Sequence, residues 1–89
     1  MSGYITPAYK VGNSKIAVLH VYTEKHGDQY KIMKECINYI RGKNVTSWRV
    51  MGTASTFDNL EACMTKFTGL VNKARKSRGL EPIRFRIED

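Results

Sequence analysis

The stretch Asp28-Gln29-Tyr30-Lys31-Ile32-Met33-Lys34-Glu35-Cys36-Ile37-Asn38-Tyr39-Ile40-Arg41 decides the fold. Met33, Cys36, Ile37 and Ile40 recur at i, i+3, i+4 and i+7, the spacing of one helix face. Asp28 suits an N-cap, because its carboxylate can accept from free amides of a first turn. Gly42-Lys43-Asn44 follows, with a glycine suited to the left-handed position past a helix end. The spacing predicts a helix over 28–41, and the flanking segments are read around it.

Upstream, Lys15 to Thr23 is nearly continuously apolar (Ile16, Ala17, Val18, Leu19, Val21, Tyr22) and reads as a strand covered on much of both faces. Gly12-Asn13-Ser14 is a turn signal before it. Residues 1–10 read as an edge strand or an ordered arm, because Pro7 cannot donate to a ladder. Downstream, Val45 to Met51 reads as a second core strand. Trp48 and Val50 point to one side of it; Ser47, Arg49 and Met51 point to the other. Ser55 and Asp58 resemble a capping box. Leu60, Cys63, Met64, Phe67, Leu70, Val71 and Ala74 then form an unbroken helical stripe, stopped by Gly79. After Pro82, the alternation of Ile83, Phe85 and Ile87 with Arg84 and Arg86 predicts a last strand.

The implied order is ββαβαβ. Right-handed crossovers would place both helices on one face of a small mixed sheet. The expected fold class is α/β (α+β): one two-layer sandwich over residues 1–89, with the other sheet face open. Eighty-nine residues bury only about 60–65% of the unfolded chain's surface. That leaves no room for both a large enclosed pocket and a separate cofactor domain. No apolar run has bilayer length, and the N-terminus lacks a signal-peptide pattern. The two cysteines fit a reducing compartment, so the expected location is the cytoplasm.

The formal charge is +7. Residues 66–86 carry Lys66, Lys73, Arg75, Lys76, Arg78, Arg84 and Arg86 against Glu81 alone, so +6 of it lies there. Clustered cations release counterions on binding a polyanion. Lys73, Arg75, Lys76 and Arg78 are the expected phosphate contacts, with Arg84 and Arg86 extending the footprint. Cations in a last helical turn also complement the helix dipole, which is the structural alternative. The open sheet face is the second candidate: Arg49, Arg84 and Arg86 beside His20 and Tyr22 would suit base stacking.

Chemistry has less support. His20, His26, Cys36 and Cys63 lack zinc-ligand spacing, and both cysteines lie on apolar faces. The loop at 52–56 lacks the lysine and glycines of a phosphate-binding loop. No metal, cofactor or catalytic residue is expected. The leading expectation is a small basic non-enzymatic binding module for nucleic acid. The alternative is a protein-binding regulator or inhibitor, of the kind phages and mobile elements use as accessories. It would dock on an acidic protein surface and occlude its target's site. A small enzyme built on His20 or Cys63 is the third reading. A homodimer through a sheet edge or the open face is compatible with each, and no membrane partner is expected.

Overall fold

The stretch 28–40 is a strand, and Arg41 is in the turn that follows it. In this computed structural model, which describes residues 2–52 and 55–84, the elements are β1 (Ser2–Tyr4), β2 (Tyr9–Val11), β3 (Ser14–Thr23), β4 (Gly27–Ile40), β5 (Lys43–Val50), β6 (Thr56–Phe57) and α1 (Leu60–Ser77). The expected ββαβαβ sandwich with two helices is thus overturned. The described residues form a curled, wholly antiparallel sheet with one helix.

The reason lies in how the apolar residues of β4 are shared out. Ile32 is fully buried on one face of the sheet, while its neighbour Met33 is buried on the other. Covering on both faces removes the polar–apolar alternation that marks a half-exposed strand. What remains is a set of apolar positions that matches helical spacing by coincidence. Tyr30, Ile32, Ile37, Tyr39 and Ile40 are β-branched or aromatic and suit a pleated surface. The connection then settles the matter. Ile40 pairs with Lys43, leaving Arg41 (φ 50°) and Gly42 (φ 78°) as a two-residue turn. Positive φ at both central residues is the type I′ hairpin turn, whose twist matches that of the strands. The glycine that resembles a helix stop is the second residue of this turn.

β3 and β4 are the central strands, paired from Ile16↔Lys34 to Thr23↔Gly27. β1 and β2 both lie along the outer side of β3, and β5 and β6 along the outer side of β4. Each edge is one interrupted strand. Between Tyr4↔Leu19 and Tyr9↔Ile16, four edge residues oppose two of β3. The Thr6 hydroxyl accepts from the Val18 amide at 3.0 Å, and the Ile5 amide donates to the Val18 carbonyl at 3.0 Å. Pro7 lies in this interruption, where the ladder makes no demand on it. On the opposite edge, Met51 N–H donates to the Ile32 carbonyl and the Ile32 amide donates to the Ser55 carbonyl. The buried Ser55 hydroxyl donates to the Met51 carbonyl and braces that loop. Ser55 is therefore no helix cap. That role belongs to Asn59, whose Oδ1 accepts from the Ala62 amide at 3.0 Å.

α1 covers one face of the sheet. Its Cys63, Met64, Phe67 and Val71 pack on Ile16, Val18 and Ile32, with Tyr9, Val11, Tyr30 and Phe57 at the margin. Its C-terminus closes with Gly79 N–H on the Lys76 carbonyl and Leu80 N–H on the Arg75 carbonyl, around Gly79 at φ 72°. Of the expected last strand, the described part, 82–84, joins no sheet. Instead, Asn72 grips this segment by its backbone. Asn72 Nδ2 donates to the Ile83 carbonyl at 3.0 Å, and Ile83 N–H donates to Asn72 Oδ1 at 2.7 Å. One side-chain amide supplies both bonds a neighbouring strand would make. Phe85, Arg86 and Ile87 lie outside the described residues.

The sheet curls away from the helix. Tyr4 on β1 and Trp48 on β5 are three strand spacings apart and four residues offset along the strands, about 20 Å in a flat sheet. Their ring centroids are 5.6 Å apart. Both project from the face opposite α1, since Tyr4 pairs with Leu19 and Trp48 with Glu35. Ala17 and Met33, directly opposed on this concave face, are buried.

Candidate nucleic-acid interface

β4 and β5 outrun the rest of the sheet. The last β3–β4 pair is Ile16↔Lys34, so Glu35 to Ile40 pairs only with Lys43 to Trp48. The result is a two-stranded ribbon projecting from the body. It lengthens the molecule to 44 × 35 × 20 Å, with a radius of gyration of 14.2 Å against about 12 Å expected for a compact chain of this length. Both ribbon faces are exposed. Ile37 and Tyr39 lie on the concave side, and Ile40 and Val45 on the helix side. Tyr39 is 75% exposed. Arg41 stands at the tip, flanked by Lys43.

The ribbon leaves the body at the end that carries the Gly12–Asn13 turn, because β2 and the start of β3 lie beside its root. The helix ends there too. Lys73, Ala74 and Ser77 line a surface groove of about 380 Å³ with Val11, Gly12 and Leu70. This end of the molecule carries Lys10 and Lys15 on the concave face, Lys34, Lys43 and Arg49 on the helix face, Arg41 at the ribbon tip, and Lys73, Lys76 and Arg78 on the last turns of the helix, with Glu35 at the ribbon root. The opposite end carries Glu24 and Asp28 around the β3–β4 turn, and Asp58 and Glu61 at the helix start.

Two pairs at the basic end are costly to the fold. Lys10 lies directly opposite Lys15, and Lys34 directly opposite Arg49. Like charges directly across a strand pair are destabilising.

The residues singled out in the sequence fall into distinct places. Lys73, Lys76 and Arg78 are exposed on the last turns of α1. Arg75 is half-buried, and its Nε donates to the Glu81 carbonyl at 2.5 Å, so part of its guanidinium holds the 80–84 segment. Arg84 is exposed on that segment, away from the sheet. Arg86 lies outside the described residues. Arg49 is exposed, but on the helix side of the sheet with His20 and Tyr22. Of the expected open-face cluster, Arg49, His20 and Tyr22 therefore lie on the helix side and Arg84 is on no strand, while Arg86 lies outside the described residues. The open face instead carries Tyr4, Trp48, Ile37 and Tyr39. Sequence reasoning passed over Lys10, Lys15, Lys34, Arg41 and Lys43 as parts of a site. The available signal was the Arg41-Gly42 pair between two β-forming runs, which marks a hairpin tip.

At the acidic end, His20 Nε2 lies 2.7 Å from Asp28 Oδ1, and the His20 ring stacks on Tyr30 with centroids 5.0 Å apart. Cys63 is buried in the core, and burial pushes its thiol up to about 11. A thiol held protonated at neutral pH is a poor nucleophile. Among the described residues, no three His, Cys, Asp or Glu side chains converge as metal ligands would. No helix among them is long and apolar enough to cross a membrane. No protein-family model, curated protein or solved structure matches the chain.

Proposed function

We propose that this protein is a non-enzymatic module that binds nucleic acid through its basic end. One observation carries the reading: the end of the molecule where α1 stops and the ribbon begins bears cations from three parts of the chain, two like-charged cross-strand pairs among them. A polyanion would offset that repulsion and release counterions on binding. Lys73, Lys76 and Arg78 contribute from the end of the helix, Arg41 and Lys43 from the ribbon tip, and Arg49 from the ribbon root. Arg75 acts as a clamp for the 80–84 segment.

The test is a titration with labelled DNA and RNA over a range of salt. Each phosphate contact contributes about 0.9 to the slope of log K against log salt for duplex DNA. Lys73→Ala with Lys76→Ala should weaken binding and reduce the slope by up to about 1.8. Lys25→Ala, at the acidic end, should change neither. Absence of binding at low salt, or a slope unmoved by the double substitution, would overturn the proposal.

A second reading has its own support. The helix-side face of the ribbon exposes Ile40 and Val45 among cations, which suits an acidic protein surface with an apolar centre. Under that reading the protein joins a complex with a partner protein and binds no nucleic acid alone.

A further inference from the structure

We propose that the concave sheet face is a track for single-stranded nucleic acid, with Tyr39, Trp48 and Tyr4 as the base-stacking groups. This rests on the nucleic-acid reading and narrows it to single strands, against duplex. The register places all three aromatics on the face that α1 leaves uncovered. Tyr4 and Trp48 meet across the curl, and Tyr39 stands four residues further along β4 than the partner of Trp48, about 14 Å away. Ile37 projects between them on the same strand and face. Tyr39 is 75% and Tyr4 48% exposed, so their rings are open to a ligand.

The charges on this face are mostly basic: Lys31 lies opposite Leu19, Lys15 and Lys10 are on it at the basic end, and Glu35, directly opposite Trp48, is its one acid among the described strand residues. Cations beside exposed rings are what a single strand needs: its phosphates track the charges while its bases, unpaired, stack on the aromatics. Four-stranded sheets with exposed aromatics stack two or three bases in this way. A duplex hides its base faces inside the stack and would use the cations alone.

Trp48 is the only tryptophan, so its emission reports occupancy of this face directly. The experiment titrates the intact protein with oligothymidylate and with a mixed-sequence duplex of equal length, following Trp48 fluorescence and the anisotropy of a labelled strand. The single strand should bind more tightly and quench Trp48. Tyr39→Ala should lower its affinity about tenfold or more. Tyr39→Phe, which keeps the ring, should hold affinity within about twofold. Tyr22→Ala removes a half-exposed ring on the other face and should have no effect. Circular dichroism of each variant checks the fold. Equal or tighter duplex binding, unaltered Trp48 emission on saturation, or Tyr39→Ala binding like the parent would each overturn this inference. In those cases salt-dependent binding to duplex would leave the wider proposal standing. Failure to bind any nucleic acid would overturn both.

Discussion

Arg41 offers a perturbation in which stability and binding should move in opposite directions. It holds φ 50° at the first central position of the ribbon turn, the only non-glycine positive φ among the described residues. The left-handed region costs an L-residue roughly 1–2 kcal/mol, and asparagine tolerates it best among non-glycine residues. Arg41→Asn should therefore recover about 0.5–1 kcal/mol, the part of the strain that asparagine relieves. In a domain of this size that raises Tm by about 2–8 °C. Gly42→Ala is the matched opposite. At φ 78° an alanine is strained, although its Cβ would meet only the Tyr39 hydroxyl at 3.7 Å, an ordinary contact. The cost is conformational, about 1–2 kcal/mol, and Tm should fall by at least about 4 °C. Urea and thermal unfolding measure both. Binding reads the other side. Arg41→Asn removes the tip cation, so affinity for nucleic acid should fall and the salt slope should flatten by up to about 0.9 if Arg41 meets a phosphate of a duplex. A turn that carries strain and charge together has a reason to keep both. Arg41→Asn that destabilises, or Gly42→Ala that leaves Tm unchanged, would refute the turn geometry. Arg41→Asn that stabilises and binds as before would leave the turn intact and remove the tip from the interface.

The Asn72 clamp should be worth about 1–3 kcal/mol, two hydrogen bonds at roughly 0.5–1.5 kcal/mol each. Asn72→Ala as stable as the parent in urea would mean that Ile83 is not held this way. Cys63 keeps its proton to about pH 11, whereas the unfolded chain loses it near pH 9. Between these values the unfolded state binds fewer protons, so stability falls as pH rises. Cys63→Ala should show a shallower alkaline loss, and an identical slope would refute this. Replacing Tyr39–Asn44 by Asn-Gly leaves Asn38↔Val45 to flank the turn and keeps the ladder's alternation. The ribbon supplies no core residue, so the shortened protein should stay within about 1 kcal/mol of the parent, as surface changes usually do. It should lose most of its nucleic-acid affinity; collapse of the fold, or undiminished binding, would contradict the assignment.

The helix α1 was legible because only one of its faces is covered. Cys63, Met64, Phe67 and Val71 are buried while Glu61, Thr65 and Lys73 are exposed, so the period survives in the residue types. β3 was legible for the opposite reason: a run apolar on both faces and too short for a typical helix leaves a strand as the better reading. β4 fails between these cases. Its first half is covered on both faces, by α1 over Ile32 and by the curl over Met33. Its second half projects as a ribbon whose apolar residues are exposed on both faces. Neither half obeys the rule that apolar means inward, so periodicity there had no core to report. The site inherited this error. On a helix over 28–41, Lys34, Arg41 and Lys43 are scattered surface charges, and the C-terminal cluster is the one basic patch the sequence offers. With the hairpin in place, the same residues join Lys10, Lys15 and the end of α1 at one pole. Lys73, Lys76 and Arg78 are thus one part of a feature whose other part is visible only after the strands are paired. An exposed apolar residue in a small basic protein breaks the pattern used to find the core. Ile37, Tyr39, Ile40 and Val45 break it together, on the two-stranded segment that leaves the body, and that coincidence is the reason the proposed contact surface includes the ribbon.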